Sequence, residues 1–128
     1  MKRVRQSGTA PEIRVSKILR ELGLFYRLKN GDLAGRPDFA NRRSKWAIFV
    51  NGCFWHGHTG CKRSKTPEKN REYWREKVKV NRRRDARSVK SIRAKGFTVV
   101  IIWECESRKP ELVSSKLAKL RSLRLRIQ

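Results

Sequence analysis

The stretch Phe97–Trp103, with the sequence Phe-Thr-Val-Val-Ile-Ile-Trp, decides the fold class of this chain. It is apolar except for Thr98 and rich in β-branched and aromatic residues, which predicts a strand that is buried on both faces. The run Lys45–Val50 is apolar after its first residue and predicts a second buried strand. Two such strands predict a small sheet with helices packed against it.

The segments on either side of these strands predict the remaining elements. Thr9 can cap a helix in which Glu12 completes a capping box, and Gly23 marks the end of that helix. The other predicted elements are a short strand at Phe25–Leu28, a second short strand into which Ala34–Phe39 leads, a long helix over about Glu68–Lys95 and a last helix from Pro110. The predicted order is therefore helix, three strands, helix, strand, helix, in one α/β domain over residues 1–128.

The charge of the chain indicates a class of partner. Its 128 residues include 34 Lys and Arg against 11 Asp and Glu, which gives a formal net charge of +23. A charge this high on a short chain predicts binding to a polyanion, with nucleic acid as the first candidate. No apolar run approaches the roughly 18 residues of a membrane span, and the start of the chain has no signal-peptide pattern. We therefore expect a cytoplasmic protein, either an enzyme or a passive binder of ribosomal or histone type.

Cysteine and histidine residues form a second pattern. Two cysteines and both histidines lie within Cys53–Cys61, and the third cysteine is Cys105. An odd number of cysteines disfavours a disulfide framework, whereas structural zinc takes four thiolate or imidazole ligands. The residues predict a zinc site that staples a small core, with either His58 or His56 as the fourth ligand. The alternative is three buried free thiols.

Two aspartates stand at positions that need an explanation. Asp85 lies with Asn81 on the apolar stripe of the long helix, and a buried carboxylate needs a partner. A histidine not used by zinc is one candidate partner, and one of the many arginines is the other. Asp38 follows Pro37 at a strand start, beside the strand that ends at Asn51. This arrangement is typical of a Mg²⁺ site, and a Pro-Asp turn is the alternative.

Several segments together resemble the very short patch repair endonucleases, the Vsr family. The longest is Ile48–His58, with the sequence Ile-Phe-Val-Asn-Gly-Cys-Phe-Trp-His-Gly-His. The others, in the family's order and at its spacing, are Gly35–Phe39, Glu72–Trp74, Asn81–Asp85 and Ile102–Glu106. The resemblance extends from Thr9 to Glu106, which is most of the chain.

The resemblance implies a DNA mismatch endonuclease of the PD-(D/E)xK superfamily. The implied fold is a single restriction-endonuclease-like α/β domain, with a small mixed sheet flanked by helices and a zinc-stapled loop. Its core would span residues 9–106, followed by a basic C-terminal helix and tail at 110–128. The implied activity is Mg²⁺-assisted hydrolysis that nicks one strand of duplex DNA beside a T·G mismatch. Mismatch-repair proteins are candidate partners, and we expect a monomer associated with the bacterial nucleoid.

The resemblance also implies the roles of individual residues. Asp38 and the backbone carbonyl of Val50 would bind Mg²⁺, His56 would be the catalytic histidine, and Asp85 would orient it. Glu12, otherwise only a capping residue, would lie near the metal. The implied zinc ligands are Cys53, His58, Cys61 and Cys105. The residues expected to contact DNA are Lys62 and Arg63 in a basic run and Phe54, Trp55 and Trp74, which would wedge into an opened base step. Core packing is the alternative for the aromatic residues.

Three features depart from the best-studied pattern of the family. Asn51 stands where those members carry a second active-site histidine, and an amide cannot act as an acid or base at neutral pH. Asn51 can still hydrogen-bond a phosphate or a water, so it is kept among the candidate catalytic residues. Two residues rather than one separate His58 from Cys61, and the Glu-x-Lys of the superfamily is absent. The alternative functions are a nicking or restriction nuclease that needs no mismatch, and a zinc-stapled DNA-binding module without activity.

Overall fold

The computed structural model describes residues 9–62 and 65–127, and this part of the chain contains three helices and three strands. In chain order they are α1 (Ala10–Glu21), β1 (Phe39–Asn41), β2 (Trp46–Asn51), α2 (Arg71–Ala94), β3 (Thr98–Trp103) and α3 (Pro110–Ile127). A short 3-10 turn, Glu106–Arg108, joins β3 to α3. The predicted α/β class is confirmed, as are the long helix and the apolar strand that follows it.

Helix α1 begins and ends where its capping residues predict. The Thr9 hydroxyl accepts the backbone N–H of Glu12 at 3.5 Å and donates to the Glu12 carboxylate at 3.2 Å. These bonds satisfy groups that the first turn of a helix leaves without an intrahelical partner. Gly23, just beyond the helix, has a left-handed backbone with φ +73°. The residues between them place Val15, Ile18 and Leu19 on the buried face.

The sheet is mixed, as predicted, and has the order β1-β2-β3. Strand β1 runs antiparallel to β2, whereas β2 and β3 are parallel and are connected through α2. Parallel strands need a long crossover of this kind, usually a helix. The register pairs Trp46 with Thr98 at one end and Asn51 with Trp103 at the other. Both strands therefore end at the same edge of the sheet.

Both faces of the sheet are covered, because successive strand residues point to opposite faces. On one face, α1 and α3 enclose the larger core with Trp46 and Ile48 of β2. On the other face, α2 contributes Ile92 and packs over Ala47 and Val99. The fully buried side chains of the larger core are Val15, Leu19, Trp46, Ile48, Ile102, Val113, Leu117 and Leu120.

The predicted strand at Phe25–Leu28 is wrong. Within it only Arg27 forms a single antiparallel bridge, to Ala40 of β1. Phe25 and Leu28 are 77% and 59% exposed, so their apolar character does not reflect a buried strand. The Asn30 side chain donates to the carbonyls of Arg27 at 2.8 Å and Pro37 at 3.1 Å, which closes this segment into a loop. Side-chain bonds of this kind compete with regular sheet pairing.

Helix α3 is part of the core and also covers the open edge of β3. The Lys116 ammonium donates to the carbonyl of Ile101 at 3.0 Å and to the Glu106 carboxylate at 2.7 Å. Glu106 in turn accepts the backbone N–H of Trp103 at 3.0 Å. Polar side chains on a strand edge disfavour pairing with another chain. The division into a core at 9–106 and a C-terminal segment at 110–128 stays a prediction. None of the described helices is long and apolar enough to cross a membrane.

The burial of α3 predicts that truncating one of its core residues destabilises the whole fold. Leu117 is completely buried, so Leu117→Ala should lower the free energy of unfolding by about 2–5 kcal/mol. Leu112→Ala, on the same helix but 37% exposed, is the matched control and should cost much less. Urea denaturation of both variants measures the difference. Equal small losses would show that α3 is an appendage to the fold.

Candidate active site and metal centre

Asp38 lies beside the end of β2 and is held by that strand. Its backbone N–H donates to the carbonyl of Ile48 at 2.9 Å, and its carboxylate accepts the N–H of Val50 at 2.6 Å. The N–H and C=O of one strand residue point to the same side of the strand. The carbonyl of Val50 therefore faces the side on which Asp38 lies. A carboxylate and a carbonyl oxygen are thus close to each other at one edge of the sheet.

The Asp38 carboxyl is strongly perturbed. Burial, with a smaller contribution from the negative charge of Glu12, raises its pKa to about 7, against the opposing effects of the bond from Val50 and the proximity of His56. Glu12 is itself buried on α1, next to its cap. Two carboxyl groups in one partly buried place favour either a proton or a cation between them. Oxygen donors of this kind fit a hard divalent cation such as Mg²⁺.

Asp38 opens onto a cleft of about 460 Å³ that also exposes the candidate catalytic residues. Val50, Asn51, His56 and Asp85 line this cleft with Asp38. Sequence reasoning did not single out three further residues on its walls, namely Arg36, Arg84 and Ser88. Their signal was weak, since two are arginines among many and the third is a serine in a helix. The two arginines give the mouth of the cleft a positive charge, which suits a phosphate.

The loop after β2 is fastened to α2. The Asn81 side chain on α2 donates to the carbonyl of Trp55 at 2.9 Å, so the polar residue on the predicted stripe has a structural partner. Gly57 has a φ of +62°, and a Cβ there would lie 2.7 Å from Val78 of α2. Only glycine combines a left-handed backbone with so close an approach. The loop and the helix are therefore in direct contact on both sides of His56.

His56 and Asp85 form a hydrogen-bonded pair between Nδ1 and the carboxylate. Their side chains are 25% and 31% exposed, so the pair is sheltered but reachable from the cleft. A carboxylate on Nδ1 orients the ring and fixes which nitrogen carries the proton in the neutral imidazole. The partner of Asp85 is thus the histidine, and the alternative of an arginine partner is wrong. This arrangement leaves Nε2 as the ring nitrogen for chemistry.

The second histidine, His58, lies with the three cysteines. Its Nδ1 is 3.7 Å from the Cys53 sulfur and 3.5 Å from the Cys105 sulfur. One ligand atom each from Cys53, His58, Cys61 and Cys105 falls within 4.8 Å of all the others. Tetrahedral zinc, with bonds of about 2.3 Å to sulfur and 2.0 Å to nitrogen, separates its ligand atoms by about 3.5–3.8 Å. The cluster can hold a metal, and zinc fits its donors and spacing.

Groups around this cluster support the ligands. The ring of His58 stacks on Trp103 with centroids 4.2 Å apart and planes 10° from parallel. The Cys53 N–H donates to the Glu104 carboxylate at 3.4 Å, and the Cys105 N–H donates to the Cys53 sulfur at 3.4 Å. Without a metal, burial raises the pKa of the Cys53 thiol to about 12. A metal that binds here must displace that proton.

The candidate wedge residues form one aromatic cluster at the surface, in which Trp55 is exposed and Phe54 and Trp74 are half-buried. Phe54 contacts Trp55 and Trp74 with centroid distances of 5.0 and 5.7 Å, and Trp55 and Trp74 are 5.6 Å apart. None of the three belongs to a buried core cluster, so the core-packing alternative is wrong. Tyr73, which sequence reasoning did not single out, contacts Trp74 at 5.0 Å and is 55% exposed. Its position next to Trp74 in the sequence could have indicated that it belongs to the same cluster.

Two basic residues, Lys62 and Arg63, were expected to contact DNA, and the structure describes one of them. Lys62 lies exposed just after Cys61, and Arg63 lies outside the described residues. The other predicted site residues fall into two adjacent groups. One is the cleft at Asp38 and His56, and the other is the Cys/His cluster with the aromatic residues beside it. The loop at 52–61 connects the two groups.

Comparisons of the sequence with known proteins find a matching family and several related DNA-nicking enzymes. The sequence model of the DNA mismatch endonuclease Vsr family matches residues 1–63. The type II nicking enzyme V.XorIIP of Xanthomonas oryzae pv. oryzae is 40% identical over 106 residues, which cover 83% of this chain and 77% of the relative. The DNA mismatch endonuclease Vsr of Escherichia coli K12 is 36% identical over 116 residues, which cover 91% of this chain and 74% of the relative. The type II nicking enzyme V.NmeAIP of Neisseria meningitidis is 32% identical over 94% of this chain and 85% of the relative.

The contact of the loop with α2 predicts a difference between two glycines. Gly57→Ala should destabilise the protein by about 2–4 kcal/mol, because a left-handed residue and a steric clash with Val78 add together. Gly60→Ala is the matched control, since Gly60 has a φ of +75° but no atom within 4 Å of an added Cβ. It should cost about 1 kcal/mol. Thermal denaturation compares them, and equal losses would contradict the tight contact.

Proposed function

Since this chain belongs to the Vsr family of DNA mismatch endonucleases, we propose that it nicks one strand of duplex DNA beside a T·G mismatch. The observation that carries the proposal is that Asp38 and the His56–Asp85 pair line one cleft. A carboxylate suited to a cation and a histidine suited to proton transfer are the two groups that metal-assisted phosphodiester hydrolysis needs. A DNA-binding module without activity has no use for this pairing.

The residues at the Asp38 cleft fit a Mg²⁺ site. The Asp38 carboxylate and the Val50 carbonyl would hold the ion, with Glu12 near it. When bound, Mg²⁺ polarises the phosphate and stabilises the charge that develops during hydrolysis. The raised pKa of Asp38 supports this assignment. It shows that the ionised carboxylate is costly in this place, and a bound cation would offset that cost. Arg36 and Arg84 would hold the phosphate at the cleft mouth.

The proton transfer is assigned to His56. Nε2 takes a proton from the water that attacks phosphorus, and the P–O bond to one sugar oxygen breaks as the new P–O bond forms. The leaving sugar oxygen takes a proton from solvent and becomes a hydroxyl, which leaves a phosphomonoester on the other side of the nick. Asp85 keeps the ring in place and stabilises the imidazolium. General-base catalysis of this kind contributes about 10²–10⁴-fold. Asn51, at the end of β2, would donate a hydrogen bond from its amide to a phosphate oxygen, a role that needs no titration.

The aromatic cluster would select the substrate. Phe54 and Trp55 extend from the loop that also carries His56, and Trp74 supports them from α2. Insertion of such side chains between base pairs costs a few kcal/mol of unstacking, and the cost is smallest at a mismatch. Selectivity for T·G would then arise because the wedge opens that step more readily than a matched step. The high positive charge of the chain supplies binding that does not depend on sequence.

A nicking assay tests the proposal and its alternative. End-labelled duplexes with one T·G pair are compared with matched C·G and T·A duplexes, each with Mg²⁺ and with EDTA. We expect Mg²⁺-dependent nicking of one strand at T·G alone. Equal nicking of all duplexes would favour a nuclease that needs no mismatch. Binding without any cleavage would contradict the proposed enzyme. Repair partners, monomeric state and association with the nucleoid stay predictions.

Replacement of Asp38 provides the sharpest test of the metal site. Asp38→Asn keeps the shape of the side chain and removes its charge, so nicking should fall by at least about 10³-fold. Asp32→Asn is the matched control, because Asp32 is a surface aspartate whose ion-pair partner is Arg42. It should nick at the rate of the unmodified protein. A fully active Asp38→Asn variant would rule out the proposed cleft.

The two histidines should separate metal content from catalysis. We propose that the Cys/His cluster binds one structural Zn²⁺, so His58→Ala should lose zinc and stability together. His56→Ala should retain zinc but nick about 10²–10⁴-fold more slowly. Elemental analysis of the purified variants, paired with the nicking assay, measures both properties. Loss of zinc from His56→Ala rather than from His58→Ala would reverse the assignment.

A further inference from the structure

A second cleft lies on the other flank of α2 and adjoins the site described so far. It has a volume of about 450 Å³ and runs between α2 and β3. Pockets that take small organic ligands have volumes of about 300–1,000 Å³. Asn51, His56 and Asp85 line both this cleft and the Asp38 cleft. The two clefts therefore meet at the candidate catalytic pair.

The helix geometry explains why there are two clefts. At roughly 100° per residue, Val89, Arg82 and Ala86 lie on one flank of Asp85. Arg84 and Ser88 lie on the opposite flank, which faces Asp38. Asp85 itself lies on the side of α2 that faces the sheet. A strand of DNA whose phosphate lies at Asp38 can thus continue past His56 into the second cleft.

The second cleft has an apolar floor and positively charged residues along its rim. Val89, Ile101 and Trp103 form an apolar surface, with Ala86 beside them. Arg82, Lys90 and Arg93 stand on the α2 side. From Arg82 to Arg93 the helix rises by about 16 Å, which is enough for several phosphates of one strand. A groove that binds the backbone of an intact duplex needs positive charge, but it does not need an apolar floor.

Cations along an aromatic and apolar surface are the recognition chemistry of unpaired nucleotides. Resting on the proposed function, we infer that the second cleft binds two or three unpaired nucleotides of the strand to be nicked, next to the scissile phosphate. Their phosphates lie along Arg82, Lys90 and Arg93, and their sugars or bases lie on Val89, Ile101 and Trp103. Opening of the duplex by the aromatic cluster supplies the unpaired nucleotides. The cleft then keeps the scissile bond next to His56.

The test uses binding of a fluorescein-labelled tetramer of deoxythymidylate to the full chain in EDTA, measured by anisotropy. Ala86→Trp fills the cleft without changing charge and should weaken binding about tenfold, since base stacking on a protein surface is lost. Ala94→Trp is the matched control, because Ala94 is exposed on the same helix but does not line the cleft. It should change binding less than about twofold. Thermal denaturation checks that both variants fold.

A second pair of variants tests the basic rim independently of the added tryptophan. Lys90→Ala/Arg93→Ala should weaken binding of the same tetramer about tenfold. Lys17→Ala/Lys119→Ala removes two exposed charges from α1 and α3, which lie on the opposite face of the sheet from α2. This pair measures the general effect of charge, which should be below about threefold. If the two double variants weaken binding equally and Ala86→Trp has no effect, the cleft does not bind nucleotides.

The nicking assay separates this inference from the proposed function. Ala86→Trp should also nick a T·G duplex about tenfold more slowly under single-turnover conditions, whereas Ala94→Trp should nick at the unmodified rate. An unmodified protein whose cleft binds the tetramer but which nicks no duplex would overturn the proposed function and leave the cleft assignment standing. Full nicking by Ala86→Trp, with tetramer binding lost, would overturn the role of the cleft in catalysis.

Discussion

The parallel pairing of β2 with β3 determines where every group of the candidate site lies. Asn51 pairs with Trp103 at the end of the two strands, so the chain leaves both strands at the same level. Two residues farther on, Cys53 and Cys105 lie side by side, and the Cys105 N–H donates to the Cys53 sulfur. The backbone N–H of Glu104 continues the pairing by donating to the Asn51 carbonyl at 2.8 Å. A shift of register by one residue would separate the cysteines and reverse the faces of β3.

Because of this constraint, the loop at 52–61 must direct its two histidines to different partners. His58 turns toward the cysteines, while His56, two residues earlier, turns toward Asp85 on α2. The contacts of Gly57 and Asn81 hold the loop against the helix between these two directions. The proposed zinc would then act on catalysis indirectly, because it fixes the loop that presents His56 and the aromatic cluster. Geometry within a fraction of an ångström decides the efficiency of such proton transfers.

Much of this arrangement could be predicted from the sequence because it depends on local pattern. The capping residues of α1, the buried runs of β2 and β3 and the polar residues on the stripe of α2 each carry their own signal. The residues alone did not decide which histidine would bind zinc, since His56 and His58 are equally close to the cysteines in the chain. The resemblance to the family was needed to imply His58. The structure distinguishes them through contacts that are distant in sequence, since His56 bonds to Asp85, 29 residues away, and His58 lies beside Cys105. The apolar residues at Phe25–Leu28 misled the prediction because they are exposed in a loop, and the second cleft arises only when α2 lies across β3.

A crystal structure of the Asp38→Asn protein bound to a duplex with one T·G pair tests the central claim most directly. The account predicts that the scissile phosphate lies in the cleft between residue 38 and His56, within reach of Nε2 directly or through one water. It also predicts that Phe54 and Trp55 occupy the opened step at the mismatch. A duplex that lies across another face of the protein, with His56 distant from every phosphate, would contradict it.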